Sequence, residues 1–462
     1  MSFYYKGVIP ASKSIMNRAL ICASYDQSLT LFGDSSCDDV VMMKQALAKL
    51  QLLESTIVSN LDSKFDPNSD PNLNNNLEYD CGAAGTTLRF LALRLSRIPG
   101  THILKGTKRL LQRPQQDLLD VLTRLGVKYS TTEDRLTLES EGWKNLDKPI
   151  LVHRGVSSQF ASSLILNAWG LESDLVLETL GSSISEGYFE MTLEVVKSLG
   201  MTIIENKTNE SSTYLIKKNS TINQSQYQME SDLSSAFAIA AYAALNGEAI
   251  FEHFPHPSLQ PDYEFIKFMK QMGISITLST STASLVTTST NAVSSAAAPS
   301  NTDTPIPSIS NPGEFSSTSH PYFHQLQIKK TTNFNGLECN LQSCPDLFPV
   351  LAILCAFAKT PSRLYGAPQL IHKESNRIAK TSELLNRIHI THENKLDGMI
   401  IQPTPININK IKAFTYDTDH DHRLAFAAAL IQSQNIPIDI RHPEVVSKSF
   451  PEFWTILGRN LN

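Results

Sequence analysis

The chain has 462 residues, more than one compact core usually holds, so its length favours at least two domains. Its composition is that of an ordinary globular protein, and a formal net charge of −5 argues against a general binder of nucleic acids. The longest apolar runs are too short to span a bilayer and the first residues lack a secretory signal, so we expect a cytoplasmic protein without membrane contact.

The first helix signal lies at residues 10–23. Pro10 ends the preceding segment, Ser12 is a suitable N-cap residue, and an apolar run follows at 19–23. Lys13, Ser14 and Arg18 lie at the start of this helix, where free N–H groups and the helix dipole favour an anion. Taken alone, this pattern is only a weak indication of a phosphate or carboxylate site.

Two kinds of predicted helix alternate along the chain. The apolar kind begins near Ser12, Ala84, Ser157, Asp232, Pro345 and Asp421. The amphipathic kind is predicted at 38–50, 114–126, 186–200, 260–273 and 373–388, with a shorter helix after Pro451. In both series the starts recur every 72–78 residues, apart from one step of 113 residues. This self-similarity predicts six copies of one unit.

Strand-like segments lie between these helices, at 101–104, 136–138, 149–153, 175–178, 202–205, 249–253, 325–328 and 436–440. Two helices and several strands in each repeat indicate an α/β fold, and six units in a chain of this length predict two domains of three units each.

The long step has a compositional cause. Residues from about 278 to 320 are mostly Ser, Thr, Ala, Pro and Asn, which predicts a disordered insertion or a loose surface loop. A smaller polar insertion is predicted at 59–76. We expect neither to take part in chemistry, and we expect deletion of 280–318 to leave fold and activity intact.

The six cysteines include no C-x-x-C pair and no zinc-like spacing with histidine. Most of them stand in apolar or helix-start contexts. We interpret them as reduced thiols, and we expect no metal site. They are Cys22, Cys37, Cys81, Cys339, Cys344 and Cys355.

Polar clusters recur at the starts of the predicted helices. Gly82 and Gly85 would let backbone N–H groups approach a ligand, and Arg109 and Arg113 stand four residues apart before a proline. Each cluster alone is also explained by an ordinary turn, an N-cap or an exposed ion pair. The other clusters are at 155–159, 345–346, 369–377, 421–423 and Lys448.

Together, these clusters favour one site. Repeated units place equivalent ends on the same side, so the cations at helix starts and loop ends should meet in a cleft between two domains. Its candidate carboxylates are Glu374 and Asp346, and Asp346 is a candidate general base. Such a cleft suits two small, highly anionic substrates. The cations are Lys13, Arg18, Arg113, Lys373, Arg377, Arg423 and Lys448.

The ordered set of motifs resembles the 5-enolpyruvylshikimate-3-phosphate (EPSP) synthase family over nearly the whole chain outside the two insertions. The motifs are Ser-Lys-Ser at 12–14 with Arg18, Gly-x-Ala-Gly-Thr at 82–86, Arg-x-x-x-Arg-Pro at 109–114, Val-Ser-Ser-Gln at 156–159, Pro-Asp at 345–346, Lys-Glu-x-x-Arg at 373–377, Asp-His-Arg at 421–423 and Lys-x-Phe-Pro at 448–451.

The resemblance implies two inside-out α/β domains, each of three βαβαββ units, with the active site in the cleft between them. It places one domain at 10–230 and the other at 1–9 plus 231–462. It implies a transferase of the shikimate pathway, which moves the enolpyruvyl group of phosphoenolpyruvate to the 5-hydroxyl of shikimate 3-phosphate and releases phosphate. It also implies a monomer with no metal or organic cofactor.

The resemblance further implies residue roles. Shikimate 3-phosphate would be held by Lys13, Ser14, Arg18, Ser157, Ser158, Ser185, Asp346, Gln369 and Lys373. Phosphoenolpyruvate would be held by Lys13, Gly85, Arg113, Gln159, Arg377, Arg423 and Lys448. The catalytic residues would be Lys13, Asp346, which accepts the proton of the attacking hydroxyl, and Glu374, which gives a proton to the methylene carbon and later helps to remove one.

The chain departs from the family pattern at several places. Ala83 and Gln369 each stand where the family usually has Asn, and Gly187 stands where Pro is usual. The N-terminus is short, so the first strand is expected to be missing or supplied differently.

Three alternatives remain. A related transferase acts on UDP-N-acetylglucosamine, but it uses a Lys-Asn pair where this chain has Lys13-Ser14, and a cysteine in a loop where 106–114 has none. A catalytically silent member would bind anions only. A nucleic-acid-binding role is disfavoured by the negative charge and by the lack of aromatic residues among the basic ones.

Overall fold

The structure is a computed structural model that describes residues 2–62, 77–153, 155, 157–181, 184–208, 211–280, 309–310 and 324–459. The α-helices are α1 (Lys13–Ala23), α2 (Asp38–Asp62), α3 (Gly85–Leu95), α4 (Lys108–Gln112), α5 (Gln116–Arg124), α6 (Gln159–Leu166), α7 (Glu186–Ser198), α8 (Leu233–Asn246), α9 (Phe265–Gln271), α10 (Phe348–Ala356), α11 (Arg377–Arg387), α12 (His422–Gln432) and α13 (Phe453–Ile456).

The strands are β1 (Phe3–Gly7), β2 (Thr30–Phe32), β3 (Leu77–Asp80), β4 (Gly100–Lys105), β5 (Lys128–Thr131), β6 (Arg135–Ser140), β7 (Ile150–His153), β8 (Leu175–Leu180), β9 (Ile203–Lys207), β10 (Ser211–Ile216), β11 (Gln226–Gln228), β12 (Gly247–Phe254), β13 (Ser275–Thr280), β14 (Ile309–Ser310), β15 (His324–Lys329), β16 (Glu338–Asn340), β17 (Ser362–Tyr365), β18 (Thr391–Lys395), β19 (Gly398–Gln402), β20 (Phe414–Asp417) and β21 (Ile438–Arg441).

One sheet pattern recurs through the described residues. Four sheets have four strands each, in the orders β3-β4-β6-β5, β7-β8-β10-β9, β16-β17-β19-β18 and β1-β12-β15-β13. In each, the first two strands are parallel and the last two are antiparallel. Two smaller sheets contain a parallel pair of the same kind, β2–β11 in one and β20–β21 in the other. The six-unit repeat predicted from the sequence is therefore confirmed.

Two of the parallel pairs join distant parts of the chain. β1 pairs with β12 and β11 pairs with β2. The expectation that the first strand is missing was wrong, because the short segment Phe3–Gly7 is long enough to pair along its whole length with β12. The segments that follow β1 and β11 lie side by side, since Ser12 N donates to Glu230 O at 2.8 Å and Asp232 N donates to Pro10 O at 2.8 Å.

The buried apolar side chains form two clusters among the described residues. One cluster runs from Ala11 to Met229, and we call the elements around it the first lobe. The other contains Ile9 and runs from Leu233 to Trp454, and we call its elements the second lobe. In the first lobe α1, α3 and α6 contact one another, and in the second lobe α8, α10 and α12 do so.

The sheets lie outside these helices. Strands such as β8 and β10 alternate buried and partly exposed residues, as a sheet does when only one face is covered. A helix that is apolar all round, such as α10, needs burial on every side and so occupies the centre of its lobe. This arrangement is the inside-out α/β fold in two lobes. Within the described ranges, no helix combines the length and hydropathy that a bilayer crossing requires.

Several predicted boundaries were wrong. Helix α2 extends to Asp62, so residues 59–62 are helical and the rest of the polar segment, 63–76, lies outside the described residues. The predicted helix at 260–273 is divided into a 3₁₀ turn at Pro261–Glu264 and α9. Most of the insertion at 278–320 lies outside the described residues, but Ile309–Ser310 pair with β2. All six cysteines are buried free thiols, as expected.

Candidate active site

The starts of five helices meet at a cleft between the lobes. Lys13, Gly85 and Gln159 are the first residues of α1, α3 and α6, and Arg377 and His422 are the first residues of α11 and α12. All five line one cleft of about 680 Å³, including space open to solvent. Because helix N-termini present unpaired N–H groups and partial positive charge, the fold itself favours an anionic ligand here.

The structure brings the predicted site residues together. The predicted residues that line the cleft are Lys13, Ser14, Arg18, Gly85, Arg113, Ser157, Ser158, Gln159, Ser185, Asp346, Lys373, Glu374, Arg377 and Arg423. The other two, Gln369 and Lys448, adjoin it. Gln369 Nε2 donates to Ser185 Oγ at 3.3 Å, and Lys448 Nζ donates to Glu374 Oε1 at 3.0 Å.

Positive charge exceeds negative charge around this cleft. Its carboxylates among the described residues are Asp39, Asp346 and Glu374, and its cations are Lys13, Arg18, Arg113, Lys373, Arg377 and Arg423. Asp39 lies 2.9 Å from the Lys13 ammonium. The remaining excess charge is available to bind anionic groups.

Arg377 binds three carboxylates, two of them in the cleft and one buried behind it. Its Nη1 donates to Asp346 at 2.8 Å and its Nη2 donates to Glu374 at 3.0 Å. Its Nε donates to the fully buried Asp421 at 2.8 Å. The Arg377 side chain is 1 % exposed, so the surrounding packing fixes the plane of its guanidinium and the positions of the two cleft carboxylates.

Asp346 is held in its ionised form. Burial alone would raise its pKa, but Arg423, Lys373 and Arg377 outweigh burial and hold the pKa of Asp346 well below its ordinary value. The contacts are close, because Arg423 Nη2 lies 2.8 Å and Lys373 Nζ lies 3.2 Å from the carboxylate. An ionised carboxylate in the cleft can accept a proton.

Glu374 is also surrounded by cations. Burial opposes its charge, but Lys448, Arg113 and Arg377 hold the pKa of Glu374 well below its ordinary value. Lys448 contacts it at 3.0 Å and Arg113 lies 3.7 Å away. The sequence placed Glu374 and Lys373 on a helix, and this was wrong. They precede α11, because Asn376 caps that helix by accepting from Ala379 N at 3.1 Å.

Arg113 has two buried nitrogens, Nε and Nη1, without a hydrogen-bond partner among the described residues, although Nη1 lies 3.7 Å from Glu374. Its guanidinium lies beside the start of α3, where a Cβ on Gly85 would approach Nη1 at 2.9 Å. The absence of a side chain at Gly85 therefore leaves room for this guanidinium. Unpaired buried donors are costly, so they mark where an anion would be stabilised.

The first-lobe wall of the cleft carries hydroxyl and amide groups. Arg18 donates from Nε to Thr192 at 2.7 Å and from Nη2 to Tyr188 O at 3.0 Å, and burial lowers the pKa of Arg18 to about 10. The side-chain amide of Gln159 is held by Arg89, whose Nη1 donates to its Oε1 at 2.8 Å. These contacts hold the polar wall in place before any ligand binds.

Four lining residues were not among the predicted site residues: Asp39, Thr86, Tyr188 and His422. Asp39 looks in sequence like an ordinary acidic residue in the first turn of a helix. His422 is buried, and neither ring nitrogen makes a hydrogen bond among the described residues. Burial lowers its pKa well below the ordinary value, helped by Lys13 and Arg423, so its ring is neutral. Its place within the Asp-His-Arg motif at 421–423 was its signal in the sequence.

The chain resembles known proteins over nearly its full length. A model of the EPSP synthase (3-phosphoshikimate 1-carboxyvinyltransferase) family matches residues 8–307 and 321–457. The 3-phosphoshikimate 1-carboxyvinyltransferase of Clostridioides difficile is 27% identical, with 96% of this chain and 92% of that protein covered. The enzyme of the same name from Methanococcus maripaludis is 28% identical, with 97% and 95% covered.

Solved structures share the fold. EPSP synthase from Acinetobacter baumannii superposes with a TM-score of 0.66 at 19% identity, covering 99% of this chain and 95% of that one. The enolpyruvyl transferase NikO from Streptomyces tendae gives 0.60 at 12% identity, covering 99% and 94%. Because the family match includes almost all of the chain and both lobes of the cleft, this protein belongs to the EPSP synthase family.

Proposed function

We propose that this cleft transfers the enolpyruvyl group of phosphoenolpyruvate to the 5-hydroxyl of shikimate 3-phosphate and releases phosphate. Family membership and relatives named for this reaction support the proposal. The observation that carries it is the meeting of six cationic side chains with the ionised carboxylates of Asp346 and Glu374 in one cleft. One of these cations, Arg113, has two buried nitrogens that make no hydrogen bond among the described residues. Two substrates with several negative charges each match that arrangement.

Shikimate 3-phosphate would bind mainly to the first lobe. Its phosphate and hydroxyl groups suit Ser14, Arg18, Ser157, Ser158 and Ser185, since hydroxyls both donate and accept. Lys13, Asp346, Gln369 and Lys373 would complete the site. Gln369 donates to Ser185 in the structure, and this contact between the lobes supports a binding position shared by both.

Phosphoenolpyruvate would bind between the lobes. Arg113, Gln159 and Gly85 belong to the first lobe, and Arg377, Arg423 and Lys448 belong to the second, while Lys13 would contact both substrates. Lys448 already spans the cleft, because its Nζ donates to Ala83 O at 3.0 Å as well as to Glu374. A ligand held from both sides would favour the closed arrangement and exclude water.

Asp346 would begin the chemistry as a general base. Its ionised carboxylate would accept the proton of the 5-hydroxyl while that oxygen attacks the central carbon of phosphoenolpyruvate. The neighbouring Arg423 and Lys373 would stabilise charge on phosphate and carboxylate groups in the transition state.

Glu374 would supply a proton to the methylene carbon and later help to remove one, as the addition product loses phosphate. A proton donor must be protonated, whereas Lys448, Arg113 and Arg377 oppose protonation in the ligand-free site. Phosphoenolpyruvate would bring negative charge beside these three cations. That charge would offset their effect and raise the pKa of Glu374 in the complex.

Phosphate release from phosphoenolpyruvate, measured with purified protein with and without shikimate 3-phosphate, tests the proposal. Release that requires shikimate 3-phosphate is the expected result. Binding of both ligands without release would identify a catalytically silent protein. Release that requires UDP-N-acetylglucosamine instead, measured as a parallel reaction, would contradict the proposal.

The remaining sequence predictions belong to the same proposal. They are domain limits of 10–230 and 1–9 plus 231–462, a monomeric enzyme, a cytoplasmic location and no nucleic-acid partner. The two apolar clusters and the pairing of β1 with β12 support the domain limits. Sedimentation of the purified protein would test the monomer.

A further inference from the structure

Arg109 reaches from one lobe to the other. It lies on α4, next to Leu110, which is buried in the first-lobe cluster. Its Nε donates to Glu374 O at 3.2 Å and its Nη2 donates to Lys373 O at 3.3 Å. The side chain therefore holds the backbone of two cleft residues without contacting their charged ends.

The segment that receives these hydrogen bonds is irregular. Residues 373–376 follow a 3₁₀ turn, Pro368–His372, and precede α11. Asn376 fixes one end by capping α11, and Ser375 Oγ donates to Asp421 at 3.0 Å. The carbonyls of Lys373 and Glu374 are at the other end, on the side facing the first lobe. Arg109 is thus an anchor for the half of the segment that carries the two charged side chains.

The planar fork of arginine suits this task. Two nitrogens of one guanidinium donate to two consecutive carbonyls, which fixes orientation as well as distance. The neighbouring Lys108 makes no such crossing, because its ammonium pairs with Glu133 of the same lobe at 2.9 Å. Two adjacent exposed cations on one short helix therefore have different partners.

We propose that Arg109 is a positioning residue, which fixes the 373–376 segment against the first lobe and so places Lys373 and Glu374 for the reaction when the cleft is closed. This rests on the proposed function. Arg109 acts through these two residues and through the closed arrangement of the lobes, not by touching substrate.

The test compares Arg109→Ala with Lys108→Ala, and adds Arg109→Lys. Because the side chain is exposed, all three variants should fold like the wild type. We expect Arg109→Ala to lower kcat/KM for phosphoenolpyruvate about tenfold, the scale of charged hydrogen bonds to neutral carbonyls. The Kd of shikimate 3-phosphate alone should change less than about threefold, because most of its proposed contacts lie in the first lobe. Arg109→Lys should restore part of the loss, and Lys108→Ala should match the wild type.

Hydrogen exchange gives a readout that does not need activity. In ligand-free protein, amides at 373–377 should exchange faster in Arg109→Ala than in Lys108→Ala. Equal exchange and equal kinetics in the two variants would overturn the proposal. An equal loss of affinity for both substrates, or a lowered Tm, would also overturn it, since Arg109 would then support the first lobe itself. A wild-type protein without activity, but with the expected exchange difference, would instead reject the proposed function and keep the anchor.

Discussion

Asp346 and Glu374 accept hydrogen bonds from the two terminal nitrogens of the same guanidinium, that of Arg377, at 2.8 and 3.0 Å. The proposed base and the proposed acid are therefore fixed relative to each other by one rigid planar group. Asp421 in turn accepts a hydrogen bond from Nε of that guanidinium. The spacing of the two carboxylates is set before substrate binds.

The first prediction concerns Glu374→Gln. The amide keeps the size and polarity of the side chain but cannot exchange a proton, so both substrates should still bind while turnover falls about 10³-fold. Calorimetry measures substrate binding, and phosphate release measures turnover. Glu383→Gln, on the exposed side of α11 where Glu383 pairs with Lys380, is the control. Wild-type turnover by Glu374→Gln would remove this residue from the mechanism.

The second prediction concerns Arg377→Met. The substitution removes the cation that pairs with the fully buried Asp421 and takes one of several cations from Asp346 and from Glu374. A buried carboxylate without its cation is costly. We expect the free energy of unfolding to fall by about 3–5 kcal/mol, measured by urea denaturation.

Arg387→Met, on the exposed end of the same helix, controls for the chemical change and should have a much smaller effect. If the two variants unfold at the same urea concentration, the buried ion-pair network does not stabilise the fold.

The third prediction concerns pH and Asp262. This residue accepts from Tyr188 Oη at 2.7 Å, and burial together with nearby Asp346 raises its pKa to about 7. A raised pKa in the folded state means that the carboxyl favours folding when protonated. Its contribution is therefore complete below about pH 4 and is lost as the pH rises towards 7.

Asp262→Asn keeps an acceptor for Tyr188 but does not titrate. Between pH 5 and pH 8, its Tm should fall less than that of the wild type. Glu264→Gln is the matched control, because Glu264 belongs to the same turn and pairs on the surface with Lys267. Parallel curves of Tm against pH for the wild type and Asp262→Asn would contradict the assignment.

The fourth prediction concerns the low-complexity insertion. Strands β13 and β15 are antiparallel, and Thr280 pairs directly with His324. Thr280 and His324 are therefore neighbours, and an Asn-Gly turn between them can replace residues 281–323 and join the two strands as a hairpin. We expect turnover within about twofold of the wild type and a Tm within a few degrees, because loop length alone affects stability weakly.

The replacement also removes Ile309–Ser310, which pair with β2 at the edge of its sheet. Loss of folded, active protein would show that this pairing, or another part of the insertion, supports the fold. Ile328→Asp, which places a charge in the second-lobe core, shows that the assay detects a real loss of stability.

The six-unit repeat was predictable because each unit contains an apolar helix. Such a helix is stable only when it is buried on all sides, as at the centre of a lobe. The predicted strands at 101–104, 175–178 and 249–253 all lie within observed strands. Short or polar strands such as β5 and β18 were missed, because exposed strands lack the apolar alternation that identifies a strand in sequence. The pairing of β1 with β12 joins segments that are far apart in the chain, so no local pattern reports it.

The sequence by itself determined roughly where the apolar helices begin, and hence that Lys13, Gly85, Gln159 and Arg423 lie near helix N-termini that favour anions. Only the tertiary structure decided which charges face one another. In the structure Asp346 lies between Arg423 and Lys373, and Glu374 forms an ion pair with Lys448. Arg109 donates a hydrogen bond across the cleft. The physical reason is that periodicity depends on neighbours within a turn or a strand, whereas ion pairing depends on distances of a few ångströms between segments hundreds of residues apart.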